Sequence, residues 1–147
     1  MEILLIEDDQ VDIKMVRRAF QTLAIPHALR VVDSAIEALE VLQRKDPSAG
    51  PEAVPRPDLM LLDLNMPGMG GLEFLSVVKA DSDLKNIPVI VLSTSDLQSD
   101  IRTSFDRGVA GYFIKPLEYT QFVETLKSIL NYWELCEHPQ DRPAMRS

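Results

Sequence analysis

A single cysteine among 147 residues rules out an intramolecular disulfide, so burial has to hold the fold together. Cys136 has only His138 close by in sequence, too little company for a metal site or an activated nucleophile. No apolar run approaches the ~20 residues that a bilayer span needs. The chain opens with Met1, Glu2 and Ile3, which lead directly into an apolar run without a basic leader. Neither a membrane partner nor secretion is therefore expected, and the cytoplasm is the expected location. Positive charge is also scarce: 15 Lys and Arg stand against 23 Asp and Glu, for a net charge of −8. With no basic stripe to displace counterions, nucleic acid is not an expected partner. The acidic surplus suits a cation site or a basic protein partner.

A chain of this length is one ordinary domain, and its 46% apolar content is enough to build a core. The stretch that organises it is Leu59 to Gly68, where four apolar residues run into Asp63 and a Met66-Pro67-Gly68 turn follows. An unbroken apolar run bounded by a turn is the pattern of a strand covered on both faces. Asp63 would then stand at the carboxyl end of a central strand, where open α/β sheets place their ligand sites. Taken alone, the same residue is as well explained as a turn starter or a helix cap.

The other segments repeat this arrangement. Ile3 to Ile6 ends in Glu7, Asp8 and Asp9; Ala28 to Val32 is a short strand; Val89 to Leu92 ends in Ser93, Thr94 and Ser95; and Gly111 to Ile114 ends in Lys115 and Pro116. Helical periodicity fills the gaps, with Val11, Ile13, Val16, Phe20 and Leu23 in the first helix and Ile36, Leu39 and Leu42 in the second. Leu72, Leu75 and Val78 mark the third helix, and Ile101 and Phe105 share a face of the fourth. The last runs from about Glu118 to Trp133, burying Phe122, Leu126 and Ile129. The segment 45–57 holds four prolines and no periodicity, so it is expected to be a loop. Five alternations of strand and helix specify an α/β fold: a doubly wound, five-stranded parallel sheet.

In such a sheet Glu7, Asp8, Asp63, Ser93, Thr94 and Lys115 converge on one edge. Crowded carboxylates raise one another's pKa unless a positive charge lies among them. A hard divalent cation meets that need, and Mg²⁺ commonly works beside a phosphoryl group. Lys115 and a hydroxyl would help neutralise a phosphoryl group carried on a carboxylate.

The spacing of Glu7-Asp8, Asp63-Leu64-Asn65-Met66-Pro67-Gly68, Val91-Leu92-Ser93 and Lys115-Pro116 resembles the receiver domain of two-component response regulators. The likeness spans about Met1 to Leu130 and implies a flavodoxin-like (βα)5 fold with strand order 2-1-3-4-5. It implies a receiver domain over 1–134, and the remaining residues 135–147, which include Pro139 and Pro143, are expected to form a flexible tail. Asp63 would be the phosphoacceptor, charged by a sensor histidine kinase. Glu7, Asp8 and Asp63, with the backbone carbonyl of Asn65, would hold Mg²⁺, for which Mn²⁺ is the expected substitute. Ser93 would be the switch hydroxyl, Thr94 would sit at the pocket mouth, Lys115 would pair with the phosphoryl group, and Tyr112 would move with Ser93. The Lys115-Pro116 bond would be cis. Such a chain is a signalling switch and not an enzyme in the ordinary sense, since it catalyses only its own phosphorylation and dephosphorylation. A rival, the aspartyl phosphatase of the haloacid-dehalogenase type, wants an acid or base two residues after the nucleophile, where this chain has Asn65.

The Pro-rich insertion and the long last helix resemble single-domain regulators that partner bacterial and cyanobacterial phytochromes. That likeness implies a phytochrome-type kinase as partner and a homodimer through the last helix and strand. The interface expected there is Phe122, Leu126, Ile129, Tyr132 and Trp133.

Overall fold

The computed structural model describes residues 1–43 and 55–137. The expected loop over 45–57 falls mostly outside them, as do residues 138–147 of the expected tail. Strands and helices alternate along the chain: β1 (Glu2–Ile6), α1 (Gln10–Thr22), β2 (Ala28–Val32), α2 (Ala35–Gln43), β3 (Leu59–Leu62), α3 (Gly71–Ala80), β4 (Val89–Ser93), α4 (Gln98–Asp106), β5 (Gly111–Ile114) and α5 (Tyr119–Leu135). The sheet is parallel throughout, in the order β2-β1-β3-β4-β5.

The unbroken apolar runs of β1, β3 and β4 are read alternately into two layers, as a period of two requires. Ile3, Leu5, Leu59, Leu61, Ile90 and Leu92 pack with Val16, Ala19 and Phe20 of α1 and with Phe122, Leu126 and Ile129 of α5. Leu4, Ile6, Met60, Leu62, Val89 and Val91 pack with Ala35, Ala38 and Val41 of α2 and Phe74, Leu75 and Val78 of α3 on the other side.

Three helices differ from the periodicity reading. In α2 the inward residues are Ala35, Ala38 and Val41, while Ile36 is exposed and Leu39 and Leu42 lie at the flank. Small side chains on the inner face let the helix lie close to the sheet, which shifts its inward face by one residue from the large-residue pattern. In α4 the shared face of Ile101 and Phe105 is not core, for the helix buries only Ser104 and leaves Phe105 exposed. In α1, Val11 is exposed, while Ile13, Val16, Ala19 and Phe20 are buried.

Phe122, Leu126 and Ile129 are at most 2% exposed, which corrects their assignment to a dimer interface. Their side chains are already spent on the sheet's own core. Trp133 also packs against that layer, and of the five only Tyr132 is exposed.

Candidate functional site

Ladder hydrogen bonds continue one residue past the strands and align their ends. The amide of Glu7 donates to the Val32 carbonyl at 3.1 Å, that of Asp63 to Ile6 at 3.0 Å, and that of Lys115 to Ser93 at 2.8 Å. Register thus sets Glu7, Asp63, Ser93 and Lys115 along one edge, although 108 positions separate Glu7 from Lys115. The chain then turns through Leu64, whose carbonyl accepts from Met66 at 3.2 Å and from Gly71 at 3.1 Å. Leu64 and Met66 are buried, so the turn is anchored in the core and leaves Asn65 outside. Gly68 supplies a φ of +74°, open to glycine at little cost. At Gly71 a β-carbon would come within 2.6 Å of the Asp63 carbonyl oxygen and 2.8 Å of Leu64 Cα. A glycine there lets α3 start directly against the end of β3.

Glu7, Asp8 and Asp63 each offer a carboxylate oxygen within 4.8 Å of the others. Glu7 and Asp63 are buried and Asp8 is half-buried, which makes a cluster open on one side. Hard oxygen donors at this spacing suit a small divalent cation. Lys115 Nζ bonds to Glu7 Oε1 and to Asp12 Oδ2 at 2.7 Å, while Asp63 Oδ1 lies 3.7 Å away. Burial pushes the Glu7 carboxyl up to about 7, with Asp63 adding to the rise, and the Lys115 ammonium only partly offsets this. Burial pulls the Lys115 ammonium down, but its bonds to Asp12 and Glu7 win, and its pKa ends above the ordinary lysine value. One lysine therefore leaves the cluster short of positive charge, which is the deficit a cation would fill.

Asp12 was not marked in the sequence, yet it stands in the first turn of α1 as a second partner of Lys115. Asp9 does not join the carboxylate cluster. It caps α1, its side chain accepting from the amides of Val11 at 2.8 Å and Asp12 at 3.2 Å.

Ser93 is fully buried, and its Oγ accepts from the amide of Ser95 at 3.3 Å. Tyr112 donates from its hydroxyl to the Ser95 carbonyl at 2.7 Å, and burial pushes this phenol up. Ser95 Oγ in turn donates to Asp100 Oδ2 in the first turn of α4 at 2.6 Å. Ser93, Tyr112 and α4 therefore meet on one residue. Thr94 is exposed, and Asn65 Nδ2 reaches its Oγ1 at 3.5 Å. No peptide bond among the described residues is cis, so the Lys115-Pro116 bond is trans, contrary to expectation. Trans is the isomer an X-Pro amide favours by about 0.5–1 kcal/mol.

Comparison with known proteins agrees with this architecture. Residues 3–127 match the family model described as the response regulator receiver domain. Response regulator Rcp1 from Synechocystis is 35% identical over 131 residues, spanning 89% of this chain and 87% of Rcp1. The probable methanogenesis regulatory protein FilR2 of Methanothrix harundinacea is 34% identical, across 89% of this chain and 82% of its own. Among solved structures, the phosphorylated cyanobacterial phytochrome response regulator RcpA superposes with a TM-score of 0.84. It is 36% identical, with 95% of this chain and 98% of RcpA covered. The Mn²⁺-bound form of Rcp1 gives 0.82 at 34% identity, covering 95% of this chain and 99% of that one.

Proposed function

Since the chain belongs to the response regulator receiver family, we propose that it is a phosphorylation switch in which Asp63 accepts a phosphoryl group from a sensor histidine kinase. The observation that carries the reading is the meeting of Glu7, Asp8, Asp63 and Lys115 at the carboxyl edge of the sheet. An oxygen of the Asp63 carboxylate attacks the phosphorus of a phosphohistidine. The new O–P bond forms as the N–P bond breaks, and the departing imidazole keeps the electron pair and is left to take up a proton. Lys115 lies near enough to turn toward the phosphoryl oxygens. Glu7, Asp8 and Asp63, with the carbonyl of Asn65, would hold Mg²⁺ or Mn²⁺, and the bound ion would supply positive charge against the transferring group. Attack of water on the phosphorus later breaks that O–P bond, releasing inorganic phosphate and restoring the Asp63 carboxylate.

Phosphorylation adds about −1.5 to −2 charges and new acceptor oxygens to the pocket. If the Ser93 hydroxyl turns toward them, it gives up the Ser95 amide. Ser95 also holds Tyr112 and Asp100, so the change reaches β5 and α4 together. The face formed by α4, β5 and α5 is then the output, read by a partner that prefers one of its two states.

The likeness to RcpA and Rcp1 supports a phytochrome-type kinase as donor. Homodimerisation belongs to the same reading, with Tyr132 as the exposed aromatic of α5, as do a cytoplasmic location and no contact with nucleic acid or membrane. No helix among the described residues is long and apolar enough to cross a bilayer.

Incubation with Mg²⁺ and acetyl phosphate, followed by intact mass measurement beside Asp63→Asn, tests the proposal. One phosphoryl adduct is expected on the parent and none on the variant. A parent that stays unmodified and also fails to bind beryllofluoride would falsify the phosphoacceptor role.

A further inference from the structure

We infer that Asp12 is a positioning residue that restrains Lys115 and thereby weakens the pocket's hold on a phosphoryl group. The inference rests on the phosphoacceptor reading of Asp63. A lysine ammonium has three donors on one compact charge. In this structure two are engaged, by Glu7 and by Asp12 Oδ2 at 2.7 Å, and Asp63 Oδ1 at 3.7 Å is beyond hydrogen-bond reach. Lys115 is thus drawn toward α1 and away from the acceptor.

Asp12 differs from the other carboxylates around Lys115. It lies outside the group Glu7, Asp8 and Asp63 whose oxygens gather within 4.8 Å, so it is not needed to collect a cation. Its side chain keeps 23% exposure, against 2% for Glu7. Its backbone is pinned by Asp9 at the start of α1, so the carboxylate is delivered from the end of a regular helix.

Two effects then act with the same sign. The bond to Asp12 fixes Nζ in a position short of Asp63, and the Asp12 charge offsets part of the lysine charge that an incoming phosphoryl group would meet. Replacing Asp12 by Asn keeps the shape and an acceptor oxygen while removing the charge.

The experiment is calorimetric titration of beryllofluoride, with Mg²⁺ present, into the parent, Asp12→Asn and Asp12→Glu at low and high salt. Asp12→Asn is expected to bind about three- to tenfold more tightly, because one negative charge near the anion is gone. The gap should narrow with salt, and Asp12→Glu should stay with the parent. Equal or weaker binding by a folded Asp12→Asn overturns the inference and leaves the ion pair as a fastening between α1 and the end of β5. If Asp12→Asn does not fold, Asp12→Ser, which also removes the charge, carries the same expectation. A parent that binds no beryllofluoride overturns the phosphoacceptor reading, and the inference with it.

Discussion

Leu62 and Asp63 are neighbours in the chain, yet they belong to regions with opposite energetics. Inside the sheet, Leu62 is fully buried among Leu4, Ile6, Met60 and Val91, and its contacts stabilise the fold. One residue further on, Asp63 is 5% exposed beside Glu7, Asp8 and one lysine, in a group with too much negative charge. β1 makes the same change between Ile6 and Glu7. The strand interiors provide the stability and the strand ends use part of it to hold charge out of water. Function therefore sits where burial and charge conflict, on a scaffold stable enough to bear the conflict.

Removing the one cation at the strand ends is the strongest way to break this balance. Lys115→Met leaves Glu7, Asp12 and Asp63 without their partner, and loss of one side of a buried pair typically costs roughly 3–5 kcal/mol. Urea unfolding in chelator should show that loss, and added Mg²⁺ should recover much of it. The contrast between neighbours is tested by Leu62→Ala against Asp63→Asn. The first should lose about 3 kcal/mol to the cavity it leaves while still accepting phosphate when folded. The second should melt no lower than the parent and accept none.

At the boundary between the regions, Gly71→Ala drives a methyl against the Asp63 carbonyl and Leu64. A cost of about 1–3 kcal/mol is expected from this overpacking. Because the displaced backbone carries Asp63, slower labelling by acetyl phosphate should accompany the lower melting point. Unchanged labelling would show that the acceptor is placed independently of α3.

The smallest effect concerns proton linkage. Burial raises the Glu7 carboxyl from its ordinary 4.5 to about 7 in the folded chain, so the folded state binds this proton more tightly than the unfolded state. Glu7's contribution is then most favourable below pH 4.5 and declines as pH rises toward 7. The melting temperature of the parent minus that of Glu7→Gln, measured in chelator, should fall by a few degrees across that window. Mg²⁺ should flatten the trend, because a bound cation favours the ionised carboxylate.

Much of the site was legible because the topology is. Once β1, β3, β4 and β5 are recognised as parallel strands, their last residues must share an edge, and Glu7, Asp63, Ser93 and Lys115 were found on that basis. Asp12 was missed because its partner is 103 positions away, and no helical or strand period links the two. The inward face of α2 was misread because periodicity follows large apolar residues, whereas close packing there selects Ala35 and Ala38. Phe122, Leu126 and Ile129 were given two roles, core and interface, since an apolar stripe does not say what covers it.

By itself the sequence determined the alternation of strands and helices, the apolar interior of the sheet and the set of reactive side chains at the strand ends. These follow from local periodicity and from the hydrophobic cost of leaving such runs in water. Only the tertiary structure decided that Lys115 is shared between Glu7 and Asp12, that Ser95 joins Ser93, Tyr112 and α4, and that α5 is packed onto the sheet while α4 buries a single serine. Those outcomes depend on which groups remain within a few ångströms after packing. Hydrogen bonds and close charge pairs are decided at that range, between residues whose separation along the chain carries no information about it.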